Sequence, residues 1–144
     1  MMRRKVFLLG VALSVLSPLV MADRVFAVRP STGTSKVVAY YFHSARRCPT
    51  CRKIEAYSAE ALKKEFAKEL ASGSLEWRVV NIDEPANRHF IKDFGLYASS
   101  LVLVSQAKDK PHWKNLDQVW SLVKTPEAFA RYVEDEVRQF QKGS

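Results

Sequence analysis

The chemistry in this chain centres on Arg46-Arg47-Cys48-Pro49-Thr50-Cys51-Arg52-Lys53. This stretch holds its only two cysteines, two residues apart, with two cations on either side. A Cys-x-x-Cys pair between a predicted strand and a helix is a pattern for reversible thiol–disulfide exchange. The nucleophile in that chemistry is the thiolate, and neighbouring Lys and Arg lower a thiol's pKa. A helix start adds to the effect, because its first N–H groups have no intrahelical partner and the macrodipole is positive there. The same four cations also fit a solvated basic surface, or an attraction for an anionic partner.

A second chemistry is open to the same residues. His43 precedes Cys48 by five residues, and His43, Cys48 and Cys51 make a soft three-ligand set suited to Cu(I) or Zn(II). Alternatively, His43 simply ends its strand and hydrogen-bonds backbone. No second cysteine pair completes a closed four-ligand site. His89 and His112 read as surface residues and Glu55 as an ordinary exposed helix position. Trp77, Trp113 and Trp120 read as core packing.

The pair needs a strand before it and a helix after it, and the sequence supplies both. Lys36 to Phe42 is almost continuously apolar and rich in β-formers, as in a strand buried on both faces. After the cysteines, Ile54, Tyr57, Ala61, Leu62, Phe66 and Leu70 recur by threes and fours, predicting one helix to about Leu70 that Ser72-Gly73-Ser74 stops. Leu75 to Asp83 predicts a second strand. Asp83 is placed to cap a short helix with an early Pro85, whose apolar face is Phe90, Ile91 and Phe94 and which Gly95 ends. Ser100 to Ser105 predicts a third buried strand, paired across the Lys108–Pro111 turn with His112 to Leu116. Asp117 opens a short helix, and Thr125-Pro126 caps a last one with the stripe Phe129, Tyr132, Val133, Val137 and Phe140. A βαβ unit followed by a hairpin and a terminal helix predicts one α/β domain, a small mixed sheet of about four strands with helices on both faces.

The first residues stand apart from that domain. Arg3-Arg4-Lys5 followed by the apolar run Val6 to Val20 and the small-residue ending at Ala22 predicts a secretory signal peptide over 1–22, with an alternative cleavage after Ala27. An uncleaved N-terminal inner-membrane anchor is the other reading. Residues 23–35 carry Pro, Gly, Ser and Thr without a period and read as a linker, leaving the domain at 36–144. Losing 1–22 removes three cations and no acid, lowering the formal charge from +8 to +5. That charge is scattered along the chain with no nucleic-acid-binding motif, so a nucleic-acid partner is not expected. The expected location is the periplasm or the outside of the cell, where a disulfide persists. A ring closed across four residues is too short to be a useful staple, so a redox or metal role fits better than a stabilising one.

With these elements in order, the chain resembles the thioredoxin superfamily from about Val37 to Phe140. Cys48-Pro49-Thr50-Cys51 after the first strand and Val80-Asn81-Ile82-Asp83 at the end of the second carry the likeness. More narrowly, Tyr41-Phe42-His43, the run Arg47 to Glu55 and the run Glu76 to Asn81 are similar to the exported nitrophenyl-compound nitroreductase subunit, ArsF-type, thioredoxin-like family. That label names a gene context more than a chemistry. The superfamily resemblance implies a thiol–disulfide oxidoreductase with Cys48 as attacking thiolate and Cys51, more buried, as resolving thiol. Pro49, Thr50, Arg47 and Ser99 are expected around them. It implies no cofactor beyond the redox-active disulfide, with protein thiols or disulfides, or an upstream redox protein, as partners. A metal-binding or redox-sensing accessory subunit using His43, Cys48 and Cys51 with Cu or Zn is the alternative. A membrane contact is expected only through an uncleaved leader. Two departures stand out. Ser99 occupies the place of the usual cis-proline, and Phe42, six residues before Cys48, that of the usual buried acid.

Overall fold

A computed structural model describes residues 35–107 and 112–144, all within the compact unit Ser31–Ser144. The expected leader, both cleavage positions, nearly all of the linker and the turn at 108–111 lie outside the described residues. Ser35, the last linker residue, has its hydroxyl 3.3 Å from that of Ser105. No helix among the described residues is long and apolar enough to cross a membrane.

Strand β1 (Val37–His43) is buried along all but its last residue, because it is flanked on both edges and covered on both faces. It pairs in parallel with β2 (Leu75–Asn81), from Val37 opposite Leu75 to His43 opposite Asn81. On its other edge it runs antiparallel to β3 (Ser100–Ser105), which pairs antiparallel with β4 (Trp113–Asn115). The sheet order is β2-β1-β3-β4.

Alternation divides the strands between two cores. Val37, Ala39 and Tyr41 join Leu101 and Leu103 on the face covered by α1 (Pro49–Glu65) and α5 (Pro126–Lys142), whose Phe129, Val133 and Val137 are fully buried. Val38, Tyr40, Phe42 and Val102 face the other way, onto Leu96, Phe90 and Phe94. The short helix α3 (His89–Asp93) carries Phe90, and Phe94 follows at its C-terminal end. Burying a Val, Leu or Phe contributes about 1.5–3 kcal/mol, so each face is held independently by several such side chains. This is the expected thioredoxin-like α/β fold, with helices on both faces of a mixed four-stranded sheet.

Several local expectations are corrected. The helix after the cysteines stops at Glu65; Phe66 leaves helical geometry (φ −116°, ψ 33°) and α2 (Ala67–Ser72) follows, ended by left-handed Gly73. The break coincides with burial of the Phe66 ring. Strand β2 ends at Asn81, and Asp83 caps no helix. Its carboxylate accepts the Ala45 N–H at 2.7 Å, and a 3-10 turn at Pro85–Asn87 precedes α3. Ile91 is exposed. Thr125 supplies no side-chain cap to α5, which starts on Pro126. Between β4 and α5 lies α4 (Val119–Leu122). Trp113 and Trp120 are exposed rather than core: Trp113 lies on β4, a three-residue edge strand, and Trp120 on the one-turn helix α4. Trp113 meets Phe94 edge-on, with 5.4 Å between ring centroids. His112 is half-buried, its ring 4.5 Å from that of Phe140, which corrects its reading as a surface residue.

Candidate active site

The turn between β1 and α1 is pinned before the cysteines begin. The His43 carbonyl accepts the Ile82 N–H at 2.9 Å. Ser44 Oγ donates to the Arg46 carbonyl at 2.9 Å, and Asp83 holds Ala45 as described. The chain then enters α1 through Pro49, at the position where a missing N–H costs least.

Cys48 is the residue that caps this helix. Its backbone is extended (φ −73°, ψ 158°), and its sulfur accepts the Cys51 N–H at 3.0 Å. Cys48 and Cys51 form a disulfide with Cα atoms 5.1 Å apart, within the usual range. Cys48 is exposed, whereas Cys51 is buried. The exposed sulfur thus occupies the place where unpaired N–H groups and the positive end of the macrodipole favour an anion. Pro49 is exposed and Thr50 half-buried beside it.

The group below the second cysteine is Tyr41, which the sequence reading missed. Phe42, reached by counting back from Cys48, points to the opposite face and stacks on Tyr40 with 5.3 Å between ring centroids. Tyr41 is one residue earlier, hence on the α1 face, and it is fully buried. Its hydroxyl donates to the Cys51 carbonyl at 2.6 Å. Burial pushes the phenol pKa up, and the Ser99 side chain and the Arg47 charge pull it part of the way back. The signal was available in strand parity: Tyr41 shares its face with Val37 and Ala39.

The Ser99 side chain thus lies beside the Tyr41 hydroxyl. The Ser99 carbonyl accepts the Trp120 Nε1–H at 3.1 Å. The described residues contain no cis peptide bond. Arg47 turns inward and pairs with Glu55, so Glu55 is partly buried rather than an ordinary exposed position. Arg46, Arg52 and Lys53 are exposed and make no ion pair among the described residues.

His43 Nδ1 lies 2.8 Å from the Ser44 carbonyl, the backbone hydrogen bond expected of a strand-ending histidine. Among the described residues no group of three His, Cys, Asp or Glu side chains is arranged to hold a metal ion.

No family model and no curated protein matches the chain. Among solved structures it is similar to a thioredoxin of Fasciola hepatica, at 21% identity over 68% of this chain and 82% of that one, with a TM-score of 0.39. The fold rests on the strand order and pairing described above. Within it, the disulfide spans the first turn of α1 between an exposed Cys48 and a buried Cys51.

Proposed function

We propose that this protein is a thiol–disulfide oxidoreductase acting on protein thiols or disulfides after export. The observation that carries the reading is the asymmetry of the Cys48–Cys51 disulfide, which is exposed at Cys48, buried at Cys51 and set at a helix start. Structural disulfides gain stability from the loop they close, and this loop is too short to supply much.

In the reducing direction, the Cys48 thiolate attacks one sulfur of a partner disulfide. A Cys48–partner bond forms, and the other partner sulfur leaves with the electron pair and takes a proton. Cys51 then gives up its proton, attacks Cys48 Sγ and closes the Cys48–Cys51 bond, releasing the second partner sulfur. Two electrons have passed to the partner, whose two sulfurs take up the proton given up by Cys51 and the one Cys48 released to solvent on ionising, and the reverse sequence oxidises a dithiol. Burial of Cys51 keeps it from competing for the partner, while its position one turn into the helix keeps it within reach of Cys48.

Export is supported by the apolar leader and its small-residue ending. The narrower ArsF-type likeness rests on three short stretches and adds a gene context to this reading. A Cys51→Ser variant expressed with its leader should accumulate mixed disulfides through Cys48 in the exported fraction, and a Cys48→Ser variant should not. Absence of any such adduct, together with no exchange between the wild-type protein and glutathione, would sink the proposal.

A further inference from the structure

The four cations around the cysteines are not equivalent. Arg46, Arg52 and Lys53 stand in solvent, where their charges are screened. Arg47, immediately before Cys48, folds inward until its side chain is 27% exposed. Its Nη2 pairs with Glu55, one turn beyond Cys51 and itself 25% exposed, while its Nε is buried without a hydrogen-bond partner. The guanidinium is close enough to the Tyr41 hydroxyl to act on its ionisation, and that hydroxyl bonds to Cys51. Arg47, Glu55, Tyr41 and the first turn of α1 therefore form one polar cluster. The remaining titratable neighbour on β1, His43, is turned to the Ser44 carbonyl.

We propose that Arg47 and Glu55 are paired positioning residues that set the reduction potential of the Cys48–Cys51 disulfide. Arg47 favours the reduced form, and Glu55 limits that effect. The inference rests on the oxidoreductase reading. Reduction breaks the S–S bond and adds two electrons. Each sulfur then takes a proton or remains a thiolate, and the thiol with the lower pKa carries the negative charge near neutral pH. A partly buried cation on the residue before Cys48 stabilises the thiolate, which the oxidised form lacks. The Glu55 carboxylate partly neutralises that cation and also fixes where the guanidinium sits. Removing Glu55 thus unmasks Arg47 and drives the equilibrium toward dithiol, whereas removing Arg47 drives it toward disulfide.

The test equilibrates the wild-type protein, Glu55→Gln, Arg47→Met and the double variant with glutathione redox buffers, and reads the dithiol fraction. Glu55→Gln should shift the equilibrium three- to tenfold toward dithiol, a tenfold change being about 30 mV. Arg47→Met should shift it by a similar factor toward disulfide, and Arg47→Lys should restore part of the difference. In the Arg47→Met background, Glu55→Gln should have a much smaller effect, because the carboxylate acts largely through the guanidinium. A merely structural pair would lower the melting temperature without moving the equilibrium in opposite senses. Wild-type exchange with both single variants within twofold, or shifted in the same direction, overturns this inference and leaves the oxidoreductase reading standing. A wild-type protein that does not exchange overturns both. If Arg47→Met fails to fold, Glu55→Gln and Arg47→Lys decide the matter alone.

Discussion

Replacing Tyr41 by Phe removes one oxygen from the interior and leaves the ring in place. The hydroxyl is fully buried and its bond to the Cys51 carbonyl is short, at 2.6 Å. A typical intramolecular hydrogen bond contributes about 0.5–1.5 kcal/mol net. The Cys51 carbonyl also lies at a helical position whose own backbone partner is Glu55 N–H, so it is not orphaned by the change. The expected loss is therefore about 1 kcal/mol, or roughly 4 °C in melting temperature for a domain of this size. Urea unfolding followed by far-UV circular dichroism would show a lower midpoint with the same slope. Alkaline pH supplies the sharper check. Tyr41 has its pKa raised in the folded state, chiefly by burial. Below the unfolded value of about 10 the phenol is protonated in both states and its bond is fully present. As pH rises above that value the unfolded chain releases the proton first, and stability drains away through the folded pKa. Tyr132 is raised for the same main reason and contributes a slope that both proteins share. The gap between wild type and Tyr41→Phe should thus narrow from pH 9 upward. A variant as stable as wild type, or a gap independent of pH, would refute the assignment of the hydroxyl to that bond.

Glu76 gives the acid-side counterpart. Hydrogen bonds from Arg78 and then Lys36 hold its carboxyl down to about 2, so its stabilising effect should be complete above pH 4.5 and vanish as pH falls toward 2. An NMR titration of the Glu76 side chain with a midpoint near 4.5 would contradict this. Phe129 is fully buried among the sheet and α1, and Phe129→Ala should cost about 3–5 kcal/mol in urea unfolding; a loss under about 1 kcal/mol would mean α5 does not seal the core. In the reduced protein, iodoacetamide should modify Cys48 in a Cys51→Ser variant at least tenfold faster than Cys51 in a Cys48→Ser variant, given their burial. Equal rates would remove the asymmetry on which the reaction scheme depends.

The parts of the fold that the sequence displays are those whose burial repeats with a period. β1 and β3 are apolar without interruption because each face of the sheet meets its own core, and α5 carries Phe129, Val133 and Val137 at helical spacing. The kink at Phe66 was hidden because Leu62, Phe66 and Leu70 keep that spacing straight through it. Tyr41 was hidden by counting along the chain instead of along the face; the turn from Ser44 to Arg47 sets the offset, and only the folded turn reveals its length. Asp83 obeyed a local capping rule in the sequence but found a partner 38 residues away in Ala45. Glu55 looked solvent-facing because its partner, Arg47, precedes the helix. The cysteine pair itself was legible from spacing alone, whereas the groups around it depend on contacts that no local pattern encodes.

The sulfur of Cys48 is at once half of the disulfide and the acceptor for the Cys51 amide. A neutral disulfide sulfur is a weak acceptor, and a thiolate is a strong one, because charge-assisted hydrogen bonds are about twice as strong as neutral ones. Gaining electrons therefore tightens the start of α1 while opening the covalent ring beside it. The Cys51 amide is thus a built-in reporter: its hydrogen exchange should slow when the protein is reduced, so that the order of that turn follows the electrons rather than the ring.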